Sequence, residues 1–283
     1  MIHALYHFIY SEQPSSLQAQ AHGKGGKMVI NLFDLTGKVA LITGSTKGIG
    51  RAIAQRMAEA GARVVISSRN QDACEAVAAQ ICASGGQAVA IACNINYREQ
   101  LQHLVEESVR QLGQIDVLVC NAALNPWYGP SRDMPDEAFD KIMNANVGSA
   151  HRLCQRVIPA MAARGGGAVI IVSSIAGIQG TAMLGAYGIS KAADMALARN
   201  LAVEWGPHNV RVNCIAPGLV RTDFARALWE NPETYAATVA TYPLRRIGEP
   251  DEIAGAAIFL ASAAGSFTTG QTLVIDGGGT IAG

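Results

Sequence analysis

No run of apolar residues in the 283-residue chain approaches the ~18 that a membrane span needs, so a soluble protein is expected. Neither sign of charge is in excess: 22 Lys and Arg stand against 22 Asp and Glu. No basic field therefore exists to draw phosphate backbones or anionic lipid, and neither nucleic acid nor a membrane surface is expected as a partner. Charge of either sign is also scarce, at 16% of residues against 49% hydrophobic. That balance excludes a disordered chain and supplies a large core. A near-neutral surface does little to keep copies of the chain apart, which favours an oligomer. The six cysteines, Cys74, Cys82, Cys93, Cys120, Cys154 and Cys214, include no CxxC spacing and lie in apolar or helical contexts. They read as buried thiols of a reducing compartment, with no disulfide and no metal site expected.

The first 27 residues lack the period of a helix or strand beyond their opening turn, and they lack the basic start and clean apolar stretch of a signal peptide. His3, His7 and His22 fall here without an ordered scaffold to make them metal ligands. Gly23-Lys24-Gly25-Gly26-Lys27 must be encoded by a purine-rich stretch resembling a bacterial ribosome-binding site, and Met28 follows at once. The expectation is that Met28 is the natural start and that residues 1–33 are an extension ahead of one domain over 34–283.

From residue 34 no Pro/Ser-rich linker interrupts the chain, and strand and helix signals alternate. Strands are expected at 38–43, 63–67, 88–92, 115–120, 168–173, 210–215 and 272–275. Helices are expected from 49 to about 60, over 71–83, 97–112, 136–163, 186–205 and 250–262. Near-continuous apolar strands alternating with amphipathic helices imply a parallel sheet covered on both faces, a doubly wound, Rossmann-type α/β three-layer sandwich.

The first strand-helix junction reads Thr43-Gly44-Ser45-Thr46-Lys47-Gly48-Ile49-Gly50. Its GxxxGxG spacing serves a dinucleotide: a sharp turn, backbone N–H groups open to pyrophosphate, and a helix N-terminus behind them. The second strand lacks the carboxylate that usually meets the ribose 2′-hydroxyl of NAD and ends Ser67-Ser68-Arg69 instead. Arg69 suits a 2′-phosphate as a planar fork, Ser68 as a donor, and Lys47 as a second cation nearby, so NADP(H) is the expected cofactor.

Tyr187 and Lys191 lie four residues apart at a helix start, which puts a phenol and an ammonium on one face. A phenol titrates near 10 in water, so a proton shuttle near neutrality needs its phenolate stabilised by roughly 4 kcal/mol, which a fixed cation can supply. Ser174, at the end of the fifth strand, suits a carbonyl oxygen on which charge develops.

These motifs together resemble the short-chain dehydrogenase/reductase family in its compact single-domain form, over residues 34–283. The resemblance extends to Asn146, which with Ser174, Tyr187 and Lys191 matches the catalytic tetrad, and to Pro217-Gly218-Leu219-Val220-Arg221-Thr222, which matches the motif holding the nicotinamide end. It implies strand order 3-2-1-4-5-6-7 and a homotetramer built partly on the helix after strand four and on the final strand. It also implies Tyr187 as general acid/base, Ser174 polarising the carbonyl, Lys191 lowering the tyrosine pKa and binding ribose, and Asn146 holding a water of the proton relay. Cys120-Asn121-Ala122-Ala123 departs from the usual Asn-Asn-Ala-Gly and is similar to a carbonyl and retinal reductase subgroup. In Cys93-Asn94-Ile95, Asn94 stands where an aspartate is usual at the adenine pocket and retains hydrogen-bonding capacity toward the base.

The segment 223–247, with helix-forming stretches broken by Pro232 and Pro243, corresponds to the family's substrate lid. Phe224, Leu228, Trp229 and Tyr235, with Trp127, Gln179 and Leu184, are candidate apolar lining. The expected activity is carbonyl reduction, or oxidation of the matching secondary alcohol, on a small or medium apolar molecule in the cytoplasm. Alternatives are a 3-oxoacyl thioester reductase, a sugar or polyol dehydrogenase, and a cofactor-binding regulatory protein without turnover. Arg221 and Arg226 keep the acyl-carrier substrate open.

Overall fold

A computed structural model describes residues 31–282. The Met28 start and the histidines of the extension lie outside the described residues. The compact unit begins at Leu32, whose carbonyl accepts from the Ala264 N–H at 3.0 Å, while the neighbouring Leu35 N–H donates to Ala60 at 2.8 Å.

Seven parallel strands form one sheet: β1 (Val39–Thr43), β2 (Arg63–Ser67), β3 (Gln87–Ala90), β4 (Val117–Cys120), β5 (Gly167–Val172), β6 (Val210–Pro217) and β7 (Thr272–Ile275). Their spatial order is 3-2-1-4-5-6-7, as the resemblance implies. The helices are α1 (Gly48–Glu59), α2 (Gln71–Ala83), α3 (Arg98–Leu112), α4 (Asp136–Met143), α5 (Ser149–Ala163), α6 (Gly185–Trp205), α7 (Arg226–Trp229), α8 (Pro232–Thr241) and α9 (Pro250–Ala261). Alternate side chains of β1 to β6 feed opposite cores. Ile42, Ile66 and Val119 pack with α1, α2 and α9, whereas Leu41, Val65 and Leu118 pack with α3, α5 and α6. Because both faces are dry, the strands read as unbroken apolar runs. Each fully buried Val, Leu or Ile contributes roughly 1.5–3 kcal/mol relative to exposure.

Two expectations need correction. The helix expected over 136–163 is split by a π-helical turn at Asn144–Gly148, where one added residue widens the backbone and swings Asn146 inward. Pro232 falls at the break between the lid's helical stretches, as expected: α7 ends at Trp229 and α8 follows. It starts α8 at the first helical position, where its missing N–H costs nothing, and the Asn231 side chain accepts from the Glu233 and Thr234 N–H groups. Cys82 is exposed near the end of α2, while the other five cysteines are buried, and all six are free thiols.

Candidate active site

β1 ends in the middle of the sheet, and the chain turns through Gly44 at φ +65° and Gly48 at φ +52°, a region that L side chains rarely occupy. Asn121, just past β4, braces this turn. Its Nδ2 donates to the carbonyls of Thr43 at 2.9 Å and Gly44 at 3.1 Å, while Thr43 Oγ1 accepts the N–H groups of Asn121 and Ala122 at 3.1 Å each. Ser45 faces the strands: its hydroxyl donates to Ile42 and accepts from the Ser67 N–H, both at 2.8 Å, and its own N–H donates to Ser67. Both of its groups thus hold the turn to β2. Lys47 at the N-cap of α1 supplies no side-chain acceptor, and the first turn holds no acid. The leading N–H groups of α1, with Thr46, Lys47 and Ile49 beside them, therefore fit an anionic group such as a pyrophosphate.

At the end of β2, Ser68 Oγ lies 3.3 Å from Cys74 Sγ, and Arg69 is exposed without an ion-pair partner among the described residues. The Cys93 N–H donates to the Ser68 carbonyl at 2.8 Å, which draws Asn94 and Ile95 to the same edge. Asn94 Oδ1 accepts from the backbone and side-chain amides of Asn96, so its Nδ2 is the group left to face a base.

The catalytic candidates converge on the neighbouring edge. Ser174 follows β5 and its Oγ accepts from the Ala176 N–H at 3.1 Å. The turn it opens presses on α6, where a Cβ on Gly188 would lie 2.7 Å from the Ala176 carbonyl; this close approach sets Ser174 beside the start of α6. One turn along α6, Lys191 Nζ stands 5.7 Å from the centroid of the Tyr187 ring, 3.0 Å from the Val172 carbonyl and 3.1 Å from Asp194 Oδ2. The side chains of Lys191 and Asp194 are only 3% and 1% exposed. Burial pulls the Lys191 ammonium down, yet the Asp194 charge and the Tyr187 phenol together hold it above its ordinary range. Burial likewise raises the Asp194 carboxyl, against the pull of Lys191.

Asn146 is tied inward by three bonds. Its Nδ2 donates to the Leu124 carbonyl at 3.1 Å and to Ser190 Oγ at 3.0 Å, and its Oδ1 accepts from the Leu124 N–H at 2.9 Å. Ser190 Oγ in turn donates to the Tyr187 carbonyl at 2.7 Å. The loop after β4, with Ala122 and Ala123, is thus anchored to the helix that carries Tyr187.

The stretch from Pro217 closes the other side. The Gly218 N–H donates to Ile275 at 3.0 Å, Val220 turns into the core, and Thr222 folds over the glycine turn, its Cγ2 3.0 Å from where a Cβ on Gly48 would stand. Lys47 pairs with Asp223 at 3.5 Å across this junction. Phe224 of the lid sets its ring 6.1 Å from that of Tyr187. Trp229 behaves differently from the expected substrate lining: its Nε1 donates to the Thr222 carbonyl at 3.0 Å and Arg221 lies over its ring at 5.2 Å, so it fastens the base of the lid. Among the described residues no cluster of His, Cys, Asp and Glu is arranged to hold a metal.

Sequence reasoning missed Thr43, Ser190 and Asp194. The first two are small polar residues whose role depends on partners 78 and 44 positions away. Asp194 carried a signal, an acid three residues beyond a cation on a helix face otherwise apolar.

Residues 44–280 match the family model described as Enoyl-(Acyl carrier protein) reductase. The chain is 45% identical over 244 residues to Dehydrogenase/reductase SDR family member 4 of Bos taurus, covering 86% of this chain and 88% of that protein. It is 39% identical over 243 residues to the human Dehydrogenase/reductase SDR family member 2, mitochondrial, covering 86% of each. Among solved structures, a 7α-hydroxysteroid dehydrogenase complexed with NADH and 7-oxo glycochenodeoxycholic acid superposes with TM-score 0.85 at 40% identity, covering 88% of this chain and 96% of that one. A gluconate 5-dehydrogenase from Burkholderia cenocepacia in complex with NADP and tartrate gives TM-score 0.86 at 33% identity, covering 89% and 98%. The chain belongs to the short-chain dehydrogenase/reductase (SDR) family, NAD(P)-dependent enzymes that interconvert carbonyl and alcohol groups.

Proposed function

We propose that this protein is an NADP(H)-dependent carbonyl reductase, or dehydrogenase of the matching secondary alcohol, acting on a small or medium apolar molecule. The observation that carries the reading is the buried Lys191 ammonium held 5.7 Å from the Tyr187 ring, with Ser174 on the adjoining turn. Tyr187 delivers a proton to the carbonyl oxygen in reduction and takes it back in oxidation. Ser174, whose oxygen already accepts from Ala176, has its hydroxyl hydrogen free for the same oxygen. Lys191 holds positive charge beneath the phenol. Asn146 fixes the Leu124 loop through its side chain, so a relay water held by this residue would use its main-chain carbonyl.

The cradle of Gly44, Thr46, Lys47, Gly48, Ile49 and Gly50, with Asn94, Ile95, Ala122, Ala123, Pro217, Gly218 and Thr222 along its rim, would hold the dinucleotide. When bound, the nicotinamide supplies or accepts the hydride. The exposed Arg69, the Ser68 hydroxyl and the absence of a carboxylate at the end of β2 support NADP(H) over NAD(H). Free thiols throughout support a reducing compartment, the cytoplasm. A homotetramer is supported by near-neutral charge and by Val274, left exposed on the terminal strand.

A panel of ketones and aldehydes followed by NADPH absorbance tests the activity, with Tyr187→Phe as control. The variant is expected to lose about 10²–10⁴-fold in turnover, and unchanged turnover would defeat the mechanism. Calorimetric titration with both cofactors tests the preference.

A further inference from the structure

Asp194 lies on a buried face of α6. A helix face buried between β5, β6 and α5 calls for an apolar residue, and a carboxylate there must be compensated. Its Oδ2 meets Lys191 Nζ at 3.1 Å, while Oδ1 is buried with no hydrogen-bond partner. The second partner of the ammonium is the Val172 carbonyl. Around the pair stand thiols rather than charges: Cys214 on β6 donates to the Asp194 main-chain carbonyl at 3.4 Å, and Cys120 on β4 and Cys154 on α5 lie beyond it. Burial raises the Cys214 thiol, and the Asp194 charge raises it further; Arg199 of α6, which pulls that thiol the other way, is the one other cation acting there. Cys120 is raised by its contact with Cys154, by burial and by Asp194. The titratable groups that act on Lys191 are therefore Asp194, the Tyr187 phenol and, least of the three, the Cys214 thiol.

We propose that Asp194 is a positioning residue for the carbonyl reaction: it anchors the Lys191 ammonium from behind, keeps it charged in a dry site, and offsets part of its field at Tyr187. This rests on the reading of Tyr187 and Lys191 given above. Its consequence is a pH range. Without the carboxylate, the buried ammonium, left with the Val172 carbonyl as its partner, gives up its proton more readily. That removes the working pair of ammonium and phenol at lower pH and moves the alkaline limb of carbonyl reduction down.

The test is the pH profile of kcat/KM for NADPH-dependent reduction of a ketone turned over by the full-length protein. Asp194→Asn, nearly isosteric, is expected to shift the alkaline limb down by about one pH unit or more, with NADPH still binding by fluorescence titration. Activity lowered by one factor at every pH, with the limb unmoved, would mean a purely structural role and overturn the proposal. Asp194→Ser is the second variant, expected to move the limb the same way. If neither variant yields folded protein that binds NADPH, the carboxylate holds the fold and the proposal also falls. Tyr187→Phe and Lys191→Met run alongside: full activity in these would overturn the reading of the site itself, whereas their inactivity with an unshifted Asp194→Asn profile would overturn only the role of Asp194.

Discussion

Gly50 and Asn121 meet across the start of α1: a Cβ on Gly50 would lie 2.4 Å from Asn121 Nδ2 and 2.3 Å from the Gly44 carbonyl. The last glycine of the turn is thus required by a side chain 71 positions away in sequence, which itself holds the turn's carbonyls. Gly50→Ala is expected to push α1 off the turn, costing about 1–3 kcal/mol of stability and weakening NADPH binding at least about tenfold. Thermal melts and a fluorescence titration measure both, and a variant that binds as tightly as the parent would show that the turn tolerates a side chain.

Arg69 is available to a 2′-phosphate and irrelevant to a 2′-hydroxyl. Arg69→Ala is expected to weaken NADPH binding about 10–100-fold, the loss of one charge-assisted contact of roughly 1.5–3 kcal/mol, while leaving NADH binding within about twofold. Equal effects on the two cofactors, read by calorimetry, would remove Arg69 from the selection.

Asn146→Ala leaves the Leu124 N–H and carbonyl without their partner. The expected cost is about 1–3 kcal/mol in a urea melt, together with a fall in kcat larger than any change in the Kd for NADPH. A variant with parental stability would mean that the loop finds other partners.

The thiols divide by burial. Cys82 alone is exposed, so a thiol reagent is expected to modify one cysteine rapidly in the native protein and six after denaturation. Loss of a second fast equivalent without unfolding would contradict the packing around β4, α5 and β6.

Burial pushes the Cys93 thiol up to about 12, whereas in the unfolded chain a thiol ionises near 8.5. The unfolded state therefore loses its proton first. Stability from this group is complete below about pH 8.5 and declines as pH rises toward 12, by about 1.4 kcal/mol per pH unit. Cys93→Ala is expected to flatten the fall in urea-melt stability between pH 9 and 11 by that slope, and an unchanged slope would count against it.

Much of the architecture is legible along the chain. The alternation of apolar strands and amphipathic helices places β2, α2 and β7 at the bounds observed, because strands buried on both faces and helices buried on one have different periods. The split at Asn144–Gly148 is not legible, since the residues of a π turn keep helical preferences and the added residue is stabilised by Asn146 reaching Leu124. Nor is the orientation of Trp229, which is decided by a carbonyl and a guanidinium that the fold brings beneath it.

By itself the sequence determined the parallel sheet, the glycine turn at its first crossover, and the Tyr187–Lys191 spacing on one helix face, all of which depend on residues close together in the chain. Only the tertiary structure decided that Ser45 holds strands, that Asn121 braces the turn, that Asn146 ties a loop to α6 through Ser190, and that Lys191 shares its burial with Asp194. Local period sets which way a backbone runs. Which polar atom meets which depends on contacts between distant segments, and in a dry interior each such atom is held to the partner that the packing provides.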